Sequence, residues 1–584
     1  MGSGDLSDKP GVLGDVRGQV VELRPGRRPP GEGTKGLPEI KITTREREVI
    51  DQAISALGCH PAVYQRAGQL VHVVKENVET TSIVRPAGAP RIVPLPLPRL
   101  RELLSDSARW LKWKPAFRQR RGWDSEDNDD GDGKWVDAHP ADWAVRGVEA
   151  RGAWPGVRQL EAVIEAPTLR PDGTVLEEAG YDAATALLLL PSMTFPPVPK
   201  SPTREDAAAA VAQLLEVVVD FPLASPEHKA AWLSAVLTPL ARFAFSGPTP
   251  LNLFDANVRS AGKSLLVDVT AEIVAGRPAA RTSATDDDAE MRKRITSIAI
   301  AGDPIVLIDN VLGALGTPSL DAALTATNWS DRLLGTNVTP TWPLYATWYA
   351  TGNNVVLNGD TTRRTLHVRL ESPEEKPELR QDFVHPDVGA YVRARRPELV
   401  IAALTILRAY CAVGRPDQAL PSWGSFEGWS RLVRHALVWA GAADPGSTRE
   451  ELQDEADRDA GALADLVAGW EVLVNQLGRP CTTAEALEEM DSVERWRYER
   501  LKAALAELCP TRGGGLPTAQ RIGKTLTRFK GRVVKGRALV RGEKGINGCT
   551  WTVRATSVPR PERQPKSVSD TTQIELLGSE TPRK

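Results

Sequence analysis

The chain has 584 residues, a mass of 63.3 kDa and a formal net charge of −2, enough for two to four domains and a large core. Hydrophobic residues make up 41% and charged residues 25%, ordinary values for a soluble protein, and the longest apolar runs, such as 184-ATALLLL-190, are too short to span a bilayer. Five cysteines, Cys59, Cys411, Cys481, Cys509 and Cys549, lie far apart with no CxxC or CxxxH pairing, which speaks against a cysteine-based zinc site and a disulfide framework and for a reducing, cytoplasmic setting.

The start, MGSGDLSDKP, has neither the basic nor the apolar region of a signal peptide, and only weakly matches a myristoylation start. Residues 1–45, rich in Gly, Pro and charge, read as a disordered tail. An N-terminal α+β accessory domain is expected over 46–200. It opens with a helix, 45-REREVIDQAISALG-58, and a hairpin, 63-VYQRAGQLVHVV-74. The acidic run 124-DSEDNDDGDG-133 invites a calcium-loop reading through Glu126, Asn128, Asp130, Gly131 and Asp137. The first and twelfth ligands are of the wrong type and no amphipathic helices flank it, so a solvated loop is the better reading. In 157–182, Pro171-Asp172-Gly173 is a turn between strand-like runs, and a Pro-rich linker follows at 191–203.

Ser201 and Thr203, standing before Glu205 and Asp206, mark the start of a long helix over 204–223, and a second helix is expected over about 226–245. Strand-like and helical runs then alternate to about 370, the pattern of a parallel α/β sheet flanked by helices. This places a domain at 201–385. Residues 386–510 read as a helical domain, 511–558 as a small basic unit, and 559–584 as a disordered tail.

The chemistry concentrates in 257-NVRSAGKSLL-266. A strand, 251-LNLFDA-256, precedes it and a helix, 265-LLVDVTAEIVAG-276, follows. That is the strand–loop–helix order of a phosphate-binding loop, whose backbone N–H groups and helix N-terminus face the anion. Gly262 keeps the bend free of bulk, Lys263 suits the β/γ-phosphates, and Ser264 suits Mg²⁺. Asn257 stands where the first glycine belongs, and Asn tolerates the left-handed backbone that glycine would supply there. With Ser260, Ala261 and Leu265 these residues make a candidate nucleotide site.

A buried strand, 305-IVLIDN-310, ends in Asp309, placed to hold Mg²⁺ through water; Asn310 follows where a catalytic Glu is usual. A third strand ends at Thr351-Gly352-Asn353-Asn354, whose amides can orient a lytic water, and the next loop carries Arg363 and Arg364, able to reach a γ-phosphate, often in a neighbouring subunit. The helix 290-EMRKRITSIAIAG-302 offers Glu290 as the carboxylate that Asn310 lacks; the alternative is a solvated helix face. Asp331 and Arg332 act in the site or form an ion pair.

Together these stretches resemble the ATPase module of phage, plasmid and integrative-element helicase/primase-type proteins, near superfamily 3 helicases and AAA+ ATPases. The carriers are AGKSLL, IVLIDNVLGALG, LDAALTATNWSDRLLG, ATGNNVVLNGDTTRRTLHVRL and 426-FEGWSRLVRHALVWAGAADP-445. The resemblance covers about 60–445 and is specific over 250–372. It implies an AAA+-like P-loop sheet, with Lys263 and Ser264 binding ATP and Mg²⁺ and Asp309 as the Walker B acid. Asn353 or Asn354 would be the sensor and Arg363 or Arg364 an arginine finger, hence a homo-oligomeric ring such as a hexamer. Asn257 and Asn310 depart from the pattern, the second putting turnover in more doubt than binding. Primase activity is not supported, because no strand-borne DxD pair with a downstream His is present.

Residues 512–554 are strongly basic, with Glu543 the lone acid among eleven Lys and Arg. The run 518-TAQRIGKTLTRFKGR-532 reads as a helix and 538–554 as a hairpin, a winged-helix-like order. Arg521, Lys524, Arg528, Lys530, Arg532, Lys535 and Arg537 are candidate contacts to a phosphate backbone, the alternative being a basic surface without that role. The leading expectation is a DNA-dependent ATPase acting on single-stranded or forked DNA for a mobile element. The other readings are a nucleotide-gated DNA-binding switch with little turnover and a nucleotide-dependent antiviral effector.

Overall fold

A computed structural model describes residues 36–58, 60–75, 83–115, 133–332, 339–374, 376–491, 495–509, 511, 516–545 and 548–555. The acidic run with Glu126, Asn128, Asp130 and Gly131, and both terminal tails apart from 36–45, lie outside them; Asp137 is described and pairs with Arg109 at 2.7 Å. The chain is a mixed α/β protein with several sheets, and it divides into two compact units, 1–453 and 454–584. Among the described residues no helix is long and apolar enough to cross a membrane.

The first unit opens with helix Glu46–Gly58, which with helices Leu97–Ser107 and Asp142–Glu149 closes an apolar core around Trp110 and Trp154. The expected hairpin forms from Tyr64–Arg66 and Gln69–Val74, in antiparallel register. Strands Ala162–Ile164, Gly180–Asp182 and Leu187–Leu189 make a second small sheet.

The centre of this unit is a five-stranded, all-parallel sheet. Its strands are β1 (Leu251–Ala256), β2 (Ala280–Ser283), β3 (Ile305–Val311), β4 (Thr347–Asn353) and β5 (Thr365–Leu370), in spatial order β2-β3-β4-β1-β5. All but the edge strand β2 (ARTS) are buried along most of their length, as a sheet covered on both faces requires. One face, with Phe254, Leu307, Tyr349 and Val368, packs on helices α1 (Arg204–Glu216), α2 (Pro226–Ala241), α3 (Lys263–Ala275) and α6 (Val388–Ala412). The other, with Leu253, Val306, Ile308 and Trp348, packs on α4 (Asp288–Ala301). A short helix, α5 (Gly359–Arg363), leads into β5.

Helix α1 begins at Thr203, whose hydroxyl and the Asp206 carboxylate form a reciprocal capping box. It stops at Glu216, earlier than the expected 223, because 217–223 turns toward the sheet: Leu223 bridges to Leu370 at the end of β5. The helices of 386–510 divide between two cores. Those up to Ala440 share the core of the central sheet, whereas Leu466, Trp470, Tyr498 and Leu505 belong to the core of the second unit.

The second unit joins the later part of helix Ser447–Leu477 to helices α7 (Thr483–Met490), α8 (Glu499–Leu508) and α9 (Ala519–Arg528). A three-stranded antiparallel sheet follows, with long strands β6 (Arg537–Gly545) and β7 (Gly548–Ala555). Ile522, Leu526, Leu539 and Trp551 close its core. Lys535 and Gly536, both at positive φ (48° and 75°), form the two-residue turn into β6.

Candidate nucleotide site

Because all five strands are parallel, their carboxyl ends form one edge, the usual location of ligand sites in open α/β sheets. Ala256 of β1 stands beside Asn353 of β4 and Leu370 of β5, and Ser283 of β2 beside Asp309 of β3. The loop 257–262 leaves β1 at this edge and enters α3 through Gly262, which caps the helix at φ 86°. The positive φ favours glycine, and a side chain at Gly262 would meet the Phe221 ring at 3.1 Å and have to displace it slightly. The N-terminal N–H groups of the 13-residue α3 open onto this edge.

Lys263, only 9% exposed, donates to Asn353 Oδ1 at 2.7 Å. Burial lowers its pKa, partly offset by the nearby Asp255 charge, with Arg369 adding to the depression. Ser264 Oγ lies 3.2 Å from Asp309 Oδ1. Asp309 also accepts from Thr351 Oγ1 at 2.5 Å and pairs with Arg281 at 3.1 Å. Arg281 bonds Asp268 of α3 as well; burial pulls its pKa down, but the bonds to Asp268 and Asp309 outweigh that and hold it above its ordinary value. Lysine, serine, acid and amide therefore converge on one edge from two strands and a helix.

The backbone at Asp309 is irregular. Ile308 pairs with Ala350 and Val311 with Gly352, so β3 carries one extra residue there, a bulge. Asn310 takes the left-handed conformation (φ 55°), is exposed, and donates its N–H to Thr351 Oγ1 at 2.9 Å.

Several expectations need correction. Asn257 is not in the left-handed region; Ser260 (φ 61°) and Gly262 are. The Asn257 amide instead clasps the Ser372 backbone, donating to its carbonyl at 3.0 Å and accepting its N–H at 3.1 Å, which ties the loop to the chain after β5. Ala261 is buried, whereas Leu265 is 48% exposed and points away from the core. Glu290 is bonded to Arg294 at 3.0 Å and lies 3.8 Å from Lys293 on its own helix; no described contact joins it to Asp309. Asp331 accepts from Thr296 at 2.6 Å and pairs with Arg292, a structural arrangement. Asn354, at φ 48°, accepts from Arg369 at 2.9 Å rather than meeting Lys263.

Arg363 and Arg364 stand at the opposite edge of the sheet. The Arg364 carbonyl accepts from Leu251 N–H at the first residue of β1, a strand length of roughly 16 Å from the loop 257–262. Arg363 pairs with Asp360, and Arg364 with Asp321 at 3.1 Å. Neither reaches the Lys263 site of its own chain.

Sequence reading missed Arg281, Asp268, Asp255 and Arg369. Asp255 is buried at 3% exposure and pairs with Arg369 at 2.6 Å. An acid inside the apolar run of β1 was the available signal; its arginine partner became identifiable only once β5 was placed beside it.

In the second unit Arg521, Lys524, Arg528, Lys530, Arg532, Lys535 and Arg537 are all exposed. Arg537 pairs with Glu471 at 2.5 Å. Among the described residues, no carboxylate pairs with Lys524, Lys530, Arg532 or Lys535.

No family model matches the chain, and no curated protein matches it. Among solved structures it is similar to the A form apo structure of the NrS-1 C-terminal region, at 10% identity, 73% coverage of this chain, 92% of that one, and a TM-score of 0.32. It is also similar to the X-ray structure of JCV helicase, at 11% identity, 41% coverage of this chain, 67% of that one, and a TM-score of 0.18.

Proposed function

We propose that the chain is a DNA-dependent P-loop ATPase of the AAA+ or superfamily 3 type, a ring-forming helicase or translocase of a mobile element. The convergence of Lys263, Ser264, Asp309 and Asn353 on the carboxyl edge of the parallel sheet carries this reading. The order β2-β3-β4-β1-β5, with the loop after β1 and the acid on β3 two strands away, supports the nucleotide-binding assignment.

The donor set fits the ligands. Hard oxygen donors from Ser264 and Asp309, 3.2 Å apart, suit Mg²⁺, and an ammonium beside a helix N-terminus suits a polyphosphate. Mg²⁺ would neutralise charge on the phosphates. Lys263, held by Asn353, is the fixed cation of the site. Asn353, on β4, would hold a water by its amide. Thr351 keeps the Asp309 carboxylate oriented. Arg363 and Arg364, at the far edge, would serve a neighbouring copy in a ring. The exposed cations around α9 and the turn into β6, a winged-helix-like arrangement, would hold the DNA backbone.

The test is ATP hydrolysis by the full chain with and without single-stranded DNA, beside Lys263→Ala. Turnover stimulated by DNA and abolished by the substitution is expected. A second reading, an ATP-binding DNA-bound switch with little turnover, is favoured by Asn310: its amide cannot take a proton, and the bulge presents it where a base is usual. Tight binding without turnover would select that reading.

A further inference from the structure

A second site lies at the amino edge of the sheet, remote from the phosphate loop. A cleft with about 40 Å³ of free space is lined by strand Ala162–Ile164, the carboxyl ends of α2, α3 and α4, and residues 343–346 before β4. A water needs roughly 10–15 Å³ by this measure, so the cleft has room for a few atoms. Its wall is largely apolar, with Ile164, Leu240, Val274, Ile298 and Leu344.

Arg242, the residue following α2, lines this cleft and is 3% exposed. Its guanidinium lies over the rings of Tyr345 at 4.8 Å and Phe245 at 5.3 Å. Its Nε has no hydrogen-bond partner, and among the described residues no carboxylate pairs with it. Burial lowers its pKa only to about 10, so it is charged at neutral pH.

The other charges in the wall have partners, although Arg66 Nε, like Arg242 Nε, makes no hydrogen bond. Glu165 pairs with Arg277, and Asp303 with Arg85 at 2.6 Å. Arg66 donates to the carbonyls of Ala299 (2.9 Å), Ile300 (3.1 Å) and Pro343 (3.0 Å), closing the end of α4, and Glu161 lies close enough to favour its charge. Arg242 caps no carbonyl in this way. One buried positive charge therefore remains without a counter-ion, a costly state that an anion relieves.

We propose that this cleft binds a small monovalent anion, chloride or a carboxylate of formate or acetate size, on Arg242, and that the bound anion braces strand Ala162–Ile164 against the amino edge of the central sheet. One uncompensated charge selects a monoanion, and the volume excludes a nucleotide or a polyphosphate.

The test uses the full chain. Chloride-35 line broadening is compared between the natural protein, Arg242→Met, and Ala166→Leu, which fills the cleft and leaves the arginine in place. Broadening lost in both variants is expected; displacement by formate or acetate identifies a carboxylate as the preferred occupant, and no displacement identifies chloride. Equal broadening in all three proteins overturns the proposal. Should either variant fail to fold, the natural protein decides. A thermal midpoint that rises and saturates with chloride or acetate, but not with gluconate at matched ionic strength, is expected. A midpoint that follows ionic strength alike for every anion overturns the site.

Discussion

Thr351 stands between Asp309 and Asn310, donating its hydroxyl to the Asp309 carboxylate at 2.5 Å and accepting the Asn310 N–H at 2.9 Å. One side chain thereby holds both the acid and the bulge that presents it. Thr351→Val keeps the shape and removes both bonds. Turnover is expected to fall roughly 10–100-fold, the usual effect of removing a group that orients a metal-binding carboxylate, with a smaller change in nucleotide affinity. Steady-state ATPase kinetics beside equilibrium nucleotide binding would check this split; an unchanged kcat would refute the role.

The left-handed backbone at Asn310 makes a stability prediction independent of catalysis. Asn310→Gly should leave stability unchanged or slightly raised, whereas Asn310→Val should cost about 1–2 kcal/mol, because a branched Cβ crowds the carbonyl in that conformation. Urea denaturation of the two variants measures the difference. Equal midpoints would mean that the bulge relaxes without cost.

Arg281 joins Asp309 to Asp268, so it is the cation that balances the two acids. Arg281→Ala leaves them facing one another, with an expected loss of about 1–3 kcal/mol. If a cation site forms there, Mg²⁺ should raise the thermal midpoint of this variant more than that of the natural protein. An equal or smaller magnesium effect would separate the two acids from cation binding.

His228 connects α2 to β5. It is 4% exposed, its Nδ1 meets the His367 carbonyl at 2.8 Å, and its ring crosses that of His367 at 5.3 Å. Burial lowers its pKa to about 4, the His367 carbonyl, Glu227 and Glu371 opposing the shift; Glu451 also faces it at 3.3 Å. Between pH 6.5 and 4 the unfolded chain binds the proton that the folded chain excludes. This group's contribution is therefore complete above about pH 6.5 and is lost as pH falls toward 4, by at most on the order of 3 kcal/mol. His228→Gln should flatten that part of a stability-versus-pH curve. An unchanged slope would assign the acid sensitivity elsewhere.

In the second unit, Lys524, Lys530, Arg532 and Lys535 are exposed without carboxylate partners among the described residues, and Arg537 is paired. Each Lys→Ala or Arg→Ala change at the first four should lower the slope of log affinity against log salt for single-stranded DNA by about 1, whereas Arg537→Ala should change it less. Fluorescence anisotropy across a salt series reads this directly. A slope that none of the four changes would move the DNA contact away from this face.

Much of the central sheet is legible locally. The apolar runs 251–256 and 305–311 form β1 and β3, and Gly262-Lys263-Ser264 sits at the start of α3, because strand and helix periodicity and glycine's freedom at φ 86° act within a few residues. The capping box at Thr203 is equally local. The role of Asn257 was not legible: its amide answers a backbone at Ser372, 115 residues away.

The sequence alone therefore determined where the Gly262-Lys263-Ser264 loop, the strand carrying Asp309 and the basic helix lie, since each is a contiguous pattern of side chains. Tertiary structure alone decided which groups share a site. Parallel register brought Arg281 to Asp309 and Arg369 to Asp255, and carried Arg363 and Arg364 to the far edge. It also enclosed Arg242 beside Tyr345, a charge whose missing counter-ion depends on four separate segments meeting around it. Pairing of charges is a property of distance in space, and residues dozens of positions apart come within reach only after the sheet has ordered its strands.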